Sequence, residues 1–221
     1  MKKILSFIAV LAISTLVFNV NVSAKTTMTN LKEAVAEELE LFDTKENRET
    51  YKEYIDLMKK ADLSNYEDSD DKVNIYIFRG SSCWHCLDAV SYFASQVKEN
   101  GKYFNVKTYE VWADTENAKL LSAVAKALGE EDPKGSVPFL VVGNKAYGGF
   151  SADMGEEIMN QVKALYNTNK EDRYDVANEV NMDDATTNKS DDKKTSPVTV
   201  ILIVLVLVGG IGLIYYVSKS N

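Results

Sequence analysis

Two thiols and one imidazole sit within four residues, Cys83-Trp84-His85-Cys86, and these are the only cysteines and the only histidine in the chain. The stretch follows an apolar run, Val73 to Phe78, with the β-branched and aromatic residues of a buried strand. It opens a segment in which Cys86, Leu87, Val90, Phe93, Ala94 and Val97 share one face at helical spacing. Ser81 and Ser82 are expected to cap that helix, because a hydroxyl accepts from its free amide groups. Thiols three residues apart at a helix start suit reversible disulfide chemistry. The first lies where unpaired N–H groups and the helix dipole favour an anion, so it should ionise more readily than a free cysteine. The second lies almost one turn on, within reach of a mixed disulfide formed by the first. Cys83 is therefore read as the attacking thiol and Cys86 as the resolving one.

Other chemistries find little support. A Ser-His-Asp triad would have to use a histidine already placed between the thiols. A c-type haem attachment needs histidine directly after the second cysteine, where this chain has Leu87. A four-ligand zinc site from Cys83, His85 and Cys86 lacks a second ligand pair, and adjacent residues on one helical turn point apart. No metal or cofactor is expected.

The 221 residues are 45% hydrophobic and 26% charged, with a formal net charge of −8. Lys2, Lys3 and Lys219 lie outside 25–197, so that middle part holds 22 basic residues against 33 acidic, a net −11. Such an acidic part makes nucleic acid an unsuitable partner, since phosphate contacts need clustered Lys and Arg.

Residues 1–24 read as a secretory signal: Lys2 and Lys3, an apolar run from Ile4 to Phe18, then Val22-Ser23-Ala24 for cleavage after Ala24. The N-terminal extension, 25–72, shows two amphipathic helices between about Thr29 and Lys60. Leu31, Val35, Leu39 and Phe42 mark the first, and Tyr51, Tyr54, Ile55 and Met58 the second. An acidic linker, Ser64 to Lys72, closes the extension.

The main domain, 73–166, alternates between periods. Strand Val73–Arg79, helix Cys83–Glu99, strand Phe104–Val111 and a helix from Thr115 to Leu128 precede Val137-Pro138 and the apolar strand Phe139–Val142. Gly143-Asn144-Lys145 turns the chain into Ala146–Tyr147, Gly148-Gly149 follows, and a last helix spans Ala152 to Tyr166. Strands alternating with helices imply parallel pairing, and the late hairpin adds an antiparallel edge.

Residues 167–197 are polar and acidic, as expected of a disordered tether with a reach on the order of 30 Å. An uninterrupted apolar run, 198–217, is long enough to cross a bilayer as one helix, with Tyr215 and Tyr216 at an aromatic belt and a short tail at 218–221. The signal places the domain on the extracytoplasmic, cell-surface side, anchored to the membrane through that C-terminal helix.

The order of elements and the residues on them resemble the thioredoxin superfamily over about Val73 to Tyr166. The features are Cys83-Trp84-His85-Cys86 between strand and helix, Val137-Pro138 before an apolar strand, and Gly148-Gly149 before the last helix. The resemblance implies an α/β fold, a thioredoxin-like mixed sheet flanked by helices, and a thiol–disulfide oxidoreductase needing no cofactor. Pro138 then corresponds to the family's cis-proline beside the thiols, and Val137, Trp84 and Pro138 to the surface that meets the substrate. His85, just before the second cysteine, matches the oxidase and isomerase branches, where the imidazole stabilises the first thiolate and makes the disulfide more oxidising. Many family members carry an acid on the first strand that helps deprotonate the second cysteine. Ile75-Tyr76-Ile77-Phe78 has none, so either release of the mixed disulfide is slower or another acid, such as Glu110 or Asp114, serves as a substitute. With no third cysteine, the pair exchanges electrons with protein or peptide thiol and disulfide substrates and with a separate redox partner. The alternative is a redox-linked accessory or chaperone module that binds an exported peptide without turnover.

Overall fold

A computed structural model describes residues 25–184 and the backbone of 186–187. Its centre is β2 (Val73–Arg79), which lies beside β3 (Phe104–Glu110) and β4 (Phe139–Val142); with the edge strands β1 (Met28–Asn30) and β5 (Lys145–Gly148) they form a five-stranded sheet of order β1-β3-β2-β4-β5. Only β2 and β3 run parallel. Strand β4 pairs antiparallel with β2, and β5 (Lys145–Gly148) closes a hairpin on β4. The reading of alternating strands as parallel therefore holds for one pair.

Strand β2 is apolar throughout because both of its faces are covered. Ile75 and Ile77 point with Val106, Leu140 and Val142 into one buried cluster. That cluster is closed by α1 (Leu31–Phe42), α2 (Lys52–Lys60), α3 (Trp84–Asn100) and α5 (Ala152–Tyr166). Tyr76 and Phe78 point the other way, with Tyr109, Phe139 and Val141, against α4 (Thr115–Ala127). The helix stripes serve these faces: α3 buries Cys86, Leu87, Val90, Phe93 and Ala94.

The N-terminal extension is part of this fold. Residues Met28–Asn30 form β1, an edge strand antiparallel to β3 with Met28 opposite Tyr109. Three residues are too few to show alternation, so the sequence hides this strand. Asn30 then caps α1: its side chain accepts from Glu33 N–H at 3.1 Å while the Glu33 carboxylate accepts from Asn30 N–H at 2.9 Å.

The expected tether is corrected over its first half. Residues 170–172 and 176–178 form single 3₁₀ turns, and Val180–Asn181 pairs as β6 with β7 (Thr186–Thr187). Val176 and Val180 are fully buried against the α4 face of the sheet. Asp175 fixes the segment by accepting from Tyr76 Oη–H and Asn74 Nδ2–H, both at 2.7 Å. Two valines among polar residues give too weak a pattern to reveal docking, yet they cover apolar sheet that α4 leaves open. The leader at 1–24, the rest of the tether, the span at 198–217 and the tail at 218–221 lie outside the described residues. Among the described residues no helix is long and apolar enough to cross a membrane.

Candidate functional site

The end of β2 delivers the chain to the thiols through Arg79, Gly80, Ser81 and Ser82. Ser82 adopts a left-handed φ of 61°, which turns the chain sharply into α3. The cap of α3 is Cys83 itself, not Ser81 or Ser82: its Sγ accepts from Cys86 N–H at 3.2 Å. Ser82 instead spends its hydroxyl on the Ser81 carbonyl, and Ser81 N–H goes to Glu110. A sulfur at the cap receives the field that the sequence assigned to it. An N–H aimed at Sγ favours the thiolate once the bond opens.

Cys83 and Cys86 are joined as a disulfide with Cα atoms 5.2 Å apart. Cys83 keeps 8% of its surface exposed and Cys86 keeps none. Both are buried, and of the two only Cys83 keeps any accessible surface.

Val137 and Pro138 come to the same place from the other side of β2. Their peptide bond is cis, and Val137 O lies 3.9 Å from Cys83 Sγ. Pro138 is buried and its carbonyl accepts from Gly149 N–H at 2.8 Å, which ties in the Gly148-Gly149 turn. Trp84 is 45% exposed. His85 is also exposed, and its ring lies over that indole with centroids 3.4 Å apart. Asp88, one turn along, has its carboxyl pushed up by burial, with His85 opposing the shift. The site therefore brings together Cys83, Cys86, Val137 and Pro138, with Trp84 and His85 on its outer rim.

Neither substitute acid is free. Glu110 gathers four backbone N–H groups, from Ser81, Trp112, Ala113 and Asp114, at 2.8–3.2 Å. Burial acts to raise its pKa, but those donors outweigh it and hold the carboxyl below its ordinary value. Asp114 caps α4 by accepting from Glu116 and Asn117 N–H. The buried acid of this domain is Glu38, on α1. It is fully inaccessible and accepts from Arg79 Nη1–H at 3.1 Å, while its other oxygen has no hydrogen-bond partner among the described residues. Arg79 is buried as well, bonded also to Thr108 Oγ1 and the half-buried Glu37. Desolvation pushes the Glu38 pKa up to about 7 against the pull of Arg79.

A second residue beyond the sequence reading is Trp112, in the turn after β3. Its ring covers Gly80 so closely that a Cβ there would sit 2.2 Å from the indole. Its Nε1–H donates to Gly135 O at 3.0 Å. The indole thus spans the loop before Cys83 and the loop before Pro138.

Among the described residues no group of three or more His, Cys, Asp and Glu side chains is placed to hold a metal ion. No protein-family model, no curated protein and no solved structure matches this chain.

Proposed function

We propose that the chain is a membrane-anchored, extracytoplasmic thiol–disulfide oxidoreductase of thioredoxin-like type, acting as an oxidant or isomerase on exported proteins or peptides. The observation that carries this reading is the asymmetry of the pair: a partly open Cys83 at the helix cap, a closed Cys86 behind it, and the Val137 carbonyl beside the outer sulfur. The C-x-x-C at the β2–α3 junction, the Val-Pro before β4 and the mixed sheet support the family resemblance.

In the oxidising direction a client thiolate attacks Cys83 Sγ, and Cys86 leaves as a thiolate. A second client thiolate then attacks the client sulfur of the mixed disulfide and releases Cys83. The client gains a disulfide, the pair keeps two electrons, and a separate redox partner must take them, since the chain has no further cysteine. Isomerisation starts instead from reduced Cys83: its thiolate attacks a client disulfide and one client sulfur leaves as a thiolate, then a different client thiolate attacks the mixed disulfide and releases Cys83, so the client keeps its number of disulfides. The apolar faces of α1 and α2 are spent on the core, which weighs against the alternative of an accessory module binding peptides through those helices.

Cys86→Ala tests the reading. With the resolving thiol gone, clients should accumulate as mixed disulfides on Cys83, visible on non-reducing gels and absent from the Cys83→Ala/Cys86→Ala double variant. If none accumulates, the oxidoreductase reading fails.

A further inference from the structure

The chain's two tryptophans are the most exposed of its large apolar side chains among the described residues, Trp84 at 45% and Trp112 at 54%. Trp84 follows Cys83 in sequence, and Trp112 packs on Gly80 in the loop that leads to Cys83. An exposed aromatic ring normally costs solubility and keeps its rotamer freedom. Trp112 does not keep that freedom. One face lies on Gly80, Nε1–H is bound to Gly135 O, and its own backbone N–H is bound to the Glu110 carboxylate. A ring held rigid with much of its surface open has its ordering cost met before any partner arrives, as the anchors of binding surfaces do. Gly80 O also accepts from Cys83 N–H at 3.2 Å, so the indole sits one hydrogen bond from the attacking residue.

The loop that receives the indole proton has a charge of its own. Glu130, Glu131 and Asp132 are exposed just before it, against one basic residue, Lys134. The stretch that leads into Gly135 is therefore exposed and acidic, complementary to a cationic chain.

We propose that Trp112 is the specificity wall of this site. It takes a large apolar side chain next to the client's cysteine, and the acidic loop beyond it favours basic residues further along the client. The inference rests on the oxidoreductase reading and adds the class of client: a basic segment with an apolar residue beside its cysteine. Glu110 is the positioning residue that holds the wall through the turn after β3.

The test uses peptides closed by an internal disulfide and reduced by the dithiol form of the protein. Cys83 thiolate attacks one peptide sulfur and the other leaves as a thiol. Cys86 then displaces the first, so the peptide gains the two electrons that the cysteine pair loses. Three peptides differ as Phe beside the cysteine with flanking Lys, Gly in place of that Phe, and Glu in place of the Lys. The Phe peptide should react about tenfold faster than the Gly peptide, and Trp112→Ala should bring that ratio close to one. At low ionic strength the Lys peptide should outrun the Glu peptide several-fold. A wild-type Phe-to-Gly ratio near one, a ratio that survives Trp112→Ala, or equal rates for both charges would overturn the proposal; if Trp112→Ala does not fold, Trp84→Ala decides between the two indoles, since a ratio that survives it supports Trp112 and one that collapses overturns the proposal. Wild-type protein that exchanges with glutathione but shows no preference sinks this proposal alone. Protein that exchanges with neither peptides nor glutathione sinks the oxidoreductase reading with it.

Discussion

Replacing Glu38 with Gln should remove a specific slope from the pH dependence of stability. Glu38 is inaccessible, one of its oxygens has no hydrogen-bond partner among the described residues, and its pKa stands at about 7 in the fold against an ordinary 4.5. A carboxyl whose pKa is higher folded than unfolded binds its proton more tightly in the native state. Its contribution is greatest below pH 4.5, falls as pH rises from about 4.5 to about 7, and is constant above that. The gap of about 2.5 pH units corresponds to roughly 3 kcal/mol, at about 1.4 kcal/mol per unit. Gln keeps the shape and an oxygen for Arg79 Nη1–H but does not titrate. Urea unfolding of the oxidised protein at pH 4.5, 6 and 8, at fixed ionic strength, gives the stability difference between wild type and Glu38→Gln. Asp68 and Asp88, which burial also pushes up, act equally on both proteins and cancel in that difference. It should move against the wild type by about 3 kcal/mol between pH 4.5 and 8. A difference that stays flat across that range would show that Glu38 is not held protonated by burial, and the argument from its orphan oxygen would fall.

Gly80→Ala places a methyl 2.2 Å from the Trp112 ring. It should cost about 1–3 kcal/mol in thermal or urea unfolding and shift tryptophan emission as the indole is displaced; unchanged emission would contradict the contact. Val180→Asp puts an unpaired charge where the side chain is fully buried, so it should destabilise by more than about 3 kcal/mol in urea unfolding. A free tether over 167–184 would instead tolerate the change.

The strongest elements are those whose periodicity is sustained. Strands β2 and β4 and helix α5 have the limits that the apolar runs and turn residues indicate: the two strands are apolar runs covered on both faces, and the helix repeats its buried Ile158 and Val162 at a four-residue spacing. Shorter pieces were hidden for physical reasons. Strand β1 offers three residues, and the docked C-terminal segment offers two buried valines among charges. Glu38 looks like one of three acids in Glu37-Glu38-Leu39-Glu40, yet it falls on the buried stripe of α1, four residues after Ala34 and four before Phe42. Spacing alone could have marked it as an inward-facing acid needing a partner, but the identity of that partner, Arg79, depends on tertiary packing. The thiols were legible because the chain has only two cysteines, and Val137-Pro138 because its place before an apolar strand resembles the thioredoxin pattern. Trp112 was not, since its role follows from where Gly80 and Gly135 meet.

In the proposed function Cys83 and Cys86 form a reversible couple whose outer thiolate is stabilised by the start of α3, with His85 as its proposed helper. Equilibration of the protein with a graded series of reduced and oxidised glutathione, acid-quenched and counted by thiol alkylation, measures that couple directly. A two-electron equilibrium more oxidising than thioredoxin's potential of about −270 mV is expected. A potential at or below that value, or a pair that never equilibrates with glutathione, would contradict it.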